Sequence, residues 1–334
     1  MNQQPTKEAW QALYKVAIEL KLLKPWNFLN GMDIISIILP RRKEPVFCSI
    51  MGALGECYAI GVFDGYTAVS DLKKMTDSDD IPMNITASYQ NCLMCYFSDR
   101  EELVSEDMQT LKDLGLKFRG RNDWIYFRAH NTGFAPWFID SKQCELMTQT
   151  LQGLVMAILV LQDGMKVDFE KGETLVREYS EKRGEWINYA AKLQLATEHF
   201  SEVTIGNELL LKKLSNFKKN EVILELELCY LLTPIQERKS QRPYLPQMIM
   251  FADANAGTIQ KYKMLSKKDK AIQILFDMLA EYIESYGKPS IIYVRDKRIR
   301  AIVDDFCSKV GIDLEERRRL PVIDEYLDYF STVM

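Results

Sequence analysis

The sequence predicts a two-domain α+β protein in which each domain builds its own sheet, and three observations lead there. The chain has 334 residues, 47% of them hydrophobic, which is more than one typical core holds. Long runs with apolar residues at helical spacing are interspersed with short β-rich runs bounded by Gly, Pro, Asn and Asp. Between two such regions, the stretch 164–184, GMKVDFEKGETLVREYSEKRG, is charged and poor in periodic apolar positions. A division between about 165 and 220 is therefore expected, with an N-terminal domain over residues 1–200 and a C-terminal domain over 201–334.

In the first domain, KEAWQALYKVAIELKLL carries Trp10, Leu13, Val16, Ala17 and Leu20 on one helical stripe, and KPW at 24–26 ends it. MDIISIILP, PVFCSIMGA and ECYAIGVFDG read as an antiparallel meander, with Gly52 and Gly55 in the second connection. GYTAVSDLKKM reads as a short helix, TDSDDIPMN as a polar loop and NCLMCYFSD as a strand. DREELVSEDMQTLKDLG is a helix closed by Gly115, WIYFRAH a strand, and SKQCELMTQTLQGLVMAILVLQ a long helix whose apolar face should pack across the sheet. EWINYAAKL returns a last strand, so this domain is a mixed or antiparallel sheet with packed helices. ELLLKKLSNFKKN is the linking helix.

The second domain reads β-β-β-α-β-α-β-α. VILELELCYLL puts Leu224, Leu226 and Leu228 on one face and Glu225 and Glu227 on the other. Strands over 247–253 and 258–264 follow, joined by DANAG, in which Asp and Asn bond their own backbone and Gly257 takes the positive φ. SKKD at 266–269 resembles a capping box opening a helix over 267–286, which Gly287 and Pro289 stop. A strand over 290–295, a helix over 297–310 closed by Gly311, a short strand near 312–316 and a helix over 321–332 complete the order.

Composition narrows the function classes. Lys and Arg total 43 against 47 Asp and Glu, a net charge of −4, so no global basic field points to nucleic acid. MNQQPTKEAW has no signal-peptide pattern, and no uninterrupted apolar run reaches the length of a membrane span, so a cytoplasmic protein without membrane partners is expected. Seven cysteines, an odd number, sit in apolar runs such as VFCSIM and LELCYL, as buried free thiols do. Cys92 and Cys95 form a lone C-x-x-C with neither a second pair nor a neighbouring His, so neither metal nor cofactor is expected. His130 and His199 fall in no ligand or catalytic motif, and P-loop, G-x-G-x-x-G and G-x-S-x-G motifs are absent from the sequence.

The element order of the second domain is that of a ribonuclease H-like fold. Within it, YGKPSIIYVRDKRIRAIVDDFCSKVGI resembles the G-x-P-x-x-I-x-x-D stretch of integrase and transposase cores, in which an Asp ends the fourth strand. Two-metal phosphoryl transfer needs several carboxylates around ions about 4 Å apart. Were the chain such an enzyme, Asp253, Asp296 and a helical acid such as Asp324 would be its catalytic set. Two of the three have a local alternative: Asp253 as a turn residue, Asp296 as a helix N-cap.

LKPWNFL, DIISI, MGALGECYAIGVFDG and RPYLPQMIMFADANAG together resemble a bacterial family of two-domain proteins of unknown function, over most of the chain. The resemblance implies a bacterial cytosolic origin and a two-domain division, and supplies no catalytic residues. The function expected is that of a binding or scaffold module. Trp26 in LKPWNFL and Trp137 in FAPWF are its candidate anchors for a protein partner. The alternative is a metal-dependent nuclease-like or phosphoryl-transfer enzyme on the second domain, in which Arg295, Arg298 and the neighbouring basic residues contact phosphates. Nucleic acid is the lesser of the two partner expectations.

Overall fold

The computed structural model describes residues 3–76, 82–197, 200–238 and 241–333. By contacts the chain forms two compact units. One comprises residues 1–74, 90–131 and 136–196, the other 75–89, 132–135 and 197–334. Both are mixed α+β.

The first unit contains helix α1 (Lys7–Leu23), capped by Thr6, whose Oγ1 accepts from Ala9 N at 3.2 Å. Strands β1 (Ile35–Ile38), β2 (Val46–Met51) and β3 (Tyr58–Asp64) follow, then α2 (Gly65–Thr76). Here too are β4 (Cys92–Ser98), α4 (Ser105–Leu114), β5 (Trp124–His130), α5 (Ser141–Gln162), β6 (Glu173–Ser180) and β7 (Glu185–Lys192). The polar stretch 77–81 lies outside the described residues.

The seven strands run in the order β5-β4-β3-β2-β1-β6-β7, and every neighbouring pair is antiparallel except β1 and β6. Helices α1 and α5 pack on one face over Ile35, Ile37, Ile50, Ile60 and Phe127. Gly153 lets α5 approach β1: a Cβ there would lie 2.8 Å from Ile37 Cγ2. Among the described residues α5 alone is long and apolar enough to cross a membrane, but Cys144, Met147, Leu151, Leu154 and Ile158 on it are buried in this core.

The stretch 164–184 is not the charged separator its composition suggests. It contains β6, which lies between β1 and β7 and buries Thr174, Leu175 and Val176. Alternation is masked there because charged side chains occupy both faces of the strand.

The cysteine expectation also needs one correction. All seven are free thiols, but Cys57 is exposed, because its strand-entry loop turns it away from the core. Cys95 is buried in the first core; Cys92, half-buried, lies opposite His130 in the ladder.

The second unit includes α3 (Met83–Thr86), α6 (Glu208–Ser215), β8 (Ile223–Tyr230), β9 (Gln247–Asp253) and β10 (Thr258–Leu265). It continues with α7 (Ala271–Tyr286), β11 (Ile291–Val294), α8 (Lys297–Val310), β12 (Asp313–Glu316) and α9 (Pro321–Val333). The sheet order is β10-β9-β8-β11-β12, with β8, β11 and β12 parallel and β9 antiparallel to both of its neighbours. The expected β-β-β-α-β-α-β-α order is thus present.

One element starts later than its sequence suggests. Asp269 accepts from Ser266 N at 2.7 Å, but the turn it closes precedes α7, whose own N-cap, Lys270, makes no side-chain bond.

Both faces of this sheet are covered. Leu224, Leu226 and Leu228 pack with α6, α7 and α8, while Cys229, Met248, Met250 and Ala252 pack on the other face with Ile85 of α3 and Leu320, Ile323 and Leu327 at α9. That second cover is decisive for the site, because Glu225 and Glu227 lie beneath it.

Candidate functional site

The hairpin at the start of the candidate set is built by Asp253. Its Oδ1 accepts from Asn255 N at 2.9 Å and from Ala256 N at 3.0 Å, and its carbonyl accepts from Gly257 N at 2.9 Å. Gly257 sits at φ 67°, where a Cβ is strained even though nothing lies within 4 Å of it. Gly257→Ala is expected to cost about 1 kcal/mol. Asp253→Asn should be near neutral, since its side-chain oxygen can accept the same bonds. Thermal melting of the two variants side by side checks this; a larger loss from Asp253→Asn than from Gly257→Ala would show that the carboxylate does more than hold the turn.

Asp253 pairs with Leu224 near the start of β8, whereas Asp296 follows β11 at the level of Leu228, the other end of the same strand. Four residues of strand separate the two levels, roughly 13 Å. Asp253 is therefore not brought together with Asp296 or Asp324.

Asp296 is the N-cap of α8: its Oδ1 accepts from Ile299 N at 2.9 Å and its Oδ2 from the Tyr89 hydroxyl at 2.9 Å. Arg298, two residues on, donates from Nη2 to Leu228 O at 3.1 Å, and its Nε stands 3.8 Å from Asp296 Oδ2.

Four other charged residues do converge. Glu225 and Glu227 are 1% and 0% exposed on β8, Arg295 follows β11 and is 8% exposed, and Asp324 stands on the first turn of α9. Arg295 Nε donates to Glu227 Oε2 at 2.7 Å, Nη1 donates to Arg318 O at 3.0 Å, and Nη2 donates to Asp324 Oδ1. Asp324 Oδ2 also accepts from Leu320 N at 3.2 Å.

Arg295, expected on a phosphate-contacting surface, is instead an internal cation joining sheet to helix. The parallel register places it opposite Glu227, and α9 closes over both.

Glu225 has a separate task. Leu320, preceding α9, has no side-chain acceptor for the free N–H groups of the helix, and Glu225 Oε2 supplies one from the sheet, accepting from Ile323 N at 3.1 Å. Burial holds the Glu225 carboxyl above the usual carboxylate range, although the bonds from Ile323 and Val322 pull it down. Burial likewise raises Glu227, against the pull of Arg295. At Arg295 burial acts downward, but Glu227 and Asp324 outweigh it and its pKa is raised.

Among the described residues, no group of three or more His, Cys, Asp and Glu side chains is placed to hold a metal ion. What this arrangement does chemically is neutralise: the carboxylates that face α9 are met by a guanidinium and by backbone N–H groups.

The aromatic candidates lie in the first unit. Trp26 is half-buried, its ring 5.0 Å from that of Tyr58 and 5.2 Å from that of Phe97, so most of it serves the edge of the core; Phe28, in the same LKPWNFL segment, is 45% exposed. Trp137 bridges to Ala129 through paired backbone bonds of 2.7 and 3.0 Å and meets Phe138 edge-on at 5.3 Å. His130 Nε2 lies 2.9 Å from the Tyr96 hydroxyl; His199 lies outside the described residues. The Glu227–Arg295–Asp324 group escaped sequence reasoning. Its one signal was the pair of Glu residues alternating with Leu in VILELEL, which acquires meaning only once α9 is known to cover that face.

Two family models match the chain. One, described as a domain of unknown function (DUF7309), matches residues 10–177, half of the chain. The other, also described as a domain of unknown function (DUF6930), matches residues 210–331. The comparison with curated proteins found no match.

Proposed function

We propose, for a chain that belongs to the family described as DUF7309, the role of a binding module without catalytic activity. One observation carries the reading: the guanidinium of Arg295 stands among the carboxylates that a metal-dependent enzyme of this topology would present to an ion, and two of its nitrogens are spent on Glu227 and Asp324. The strand order with the first, fourth and fifth strands parallel supports a ribonuclease H-like second domain. Seven free thiols support a reducing, cytoplasmic setting. The partner is a protein, engaged through the exposed aromatic and aliphatic side chains beside Trp26, chiefly Phe28 and Leu22.

The rival reading, metal-dependent nuclease or phosphoryl transfer, is favoured by the gathering of Glu225 and Glu227 beneath α9 with Asp324 on its first turn. Manganese separates the two. With the full chain, added Mn²⁺ is expected neither to raise the melting temperature in a saturable way nor to support cleavage of a mixed nucleic-acid substrate. Saturable stabilisation together with cleavage that Asp324→Asn abolishes would establish the enzyme.

A further inference from the structure

The parallel pairing of β1 with β6 brings two segments distant in sequence to one end of the first sheet, since the chain enters both strands from the same side. One is the stretch 28–33, which follows the turn Pro25–Asn27 and leads into β1; the other is the end of α5 with the turn after it, which leads into β6. Between them lies a cavity of about 620 Å³ that opens to solvent. Its apolar wall includes Phe28, 45% exposed, and the half-buried Leu161, Val167 and Phe169.

The charged groups lining it are Asp33, Asp168, Glu170 and Lys166, three acids to one base. Asp168 is spent locally: its Oδ1 accepts from Lys171 N at 3.1 Å and its Oδ2 from Lys171 Nζ at 2.7 Å. Asp33 is held by Asn30, whose N donates to its Oδ2 at 2.9 Å. Among the described residues, no lysine or arginine forms an ion pair with Asp33 or Glu170, and Lys166, exposed on the rim, reaches neither. Burial holds the Asp33 carboxyl above the usual carboxylate range and Glu170 adds to the rise, with only the bonds from Asn30 opposing it.

Apolar side chains left open beside two carboxylates without a counter-ion fit an occupant that is both cationic and apolar. A lysine or arginine head set between Asp33 and Glu170 relieves their mutual repulsion, and an acidic segment is turned away. Apolar side chains next to that head cover Phe28 and Phe169, and an arginine can also lie on a phenyl face.

We propose that this groove docks a segment of a partner protein in which a lysine or arginine stands beside aromatic or aliphatic side chains, the cation meeting Asp33 and Glu170 and the apolar groups meeting Phe28 and Phe169. It rests on the protein-binding role proposed above, to which it adds the chemistry of the partner.

The test selects a random dodecapeptide phage library on the immobilised full chain, then measures the Kd of synthesised winners by fluorescence anisotropy. Enriched peptides are expected to place Lys or Arg next to apolar residues and to bind more weakly as salt is raised. Glu170→Lys, at an exposed position, should raise Kd about tenfold or more, whereas Lys166→Glu, which removes the opposing charge, should lower it about threefold; this gain of affinity cannot come from misfolding. Peptides weakened by Phe28→Ser but indifferent to Glu170→Lys and Lys166→Glu leave the protein-binding role standing and overturn the basic partner. Winners indifferent to all three variants, or no winners, overturn both. A parent that sediments as a dimer and a Glu170→Lys variant that does not would give the groove to a second copy of the chain, and likewise overturn the proposal.

Discussion

Arg295→Met is expected to destabilise the chain by about 3–5 kcal/mol at pH 7, the usual cost of leaving a buried ion without its partner. Glu227, fully buried, would lose its strongest donor, and Asp324 would lose the tie that joins α9 to the sheet. Replacing the pair together, Arg295→Met with Glu227→Met, should restore much of the loss, because well-packed apolar side chains often substitute for a buried ion pair without penalty. Urea denaturation of the parent, the single and the double variant measures both effects; a double variant no more stable than the single one would mean that the pair is not the unit that matters.

The pH dependence of the single variant has a definite sign. Burial already raises the Glu227 carboxyl, and without Arg295 that effect acts unopposed. A carboxyl raised in the folded state binds its proton more tightly there than in the unfolded chain. The folded state is therefore favoured at low pH and loses stability as pH climbs from the ordinary glutamate range through the raised value. The deficit of Arg295→Met relative to the parent should be smaller at pH 5 than at pH 8. A deficit that grows on acidification would contradict a buried, uncompensated Glu227.

Leu154→Ala is expected to cost about 2–5 kcal/mol, since Leu154 is fully buried on α5 and its truncation leaves a cavity in the first core. Gln152→Ala, at an exposed position of the same helix, should change stability by no more than about 0.5 kcal/mol. The contrast tests whether α5, apolar nearly all round, is a core helix of the first unit. Similar small effects at both positions would show that the Leu154 face does not bear on a packed core.

Much of the fold is legible in local sequence. Helical stripes end at Gly115, Gly287 and Gly311, each at positive φ where only glycine is unstrained, so those boundaries are written at single positions. DANAG likewise closes its hairpin with bonds spanning two to four residues. The N-cap role of Asp296 is local for the same reason: its acceptor and the N–H it receives are three residues apart.

Other features depend on chain segments distant in sequence. β6 became a strand because β1, some 140 residues earlier, offers it a parallel edge, and that pairing outweighs a composition that reads as a separator. The burial of Glu225 and Glu227 was settled by α9, about a hundred residues later, and the role of Arg295 by the register of β11 on β8. Period-two alternation states which side chains share a face and is silent on what covers that face. A Glu on a strand becomes a solvated surface group or a buried partner for an arginine according to that cover, and only the tertiary structure supplies it.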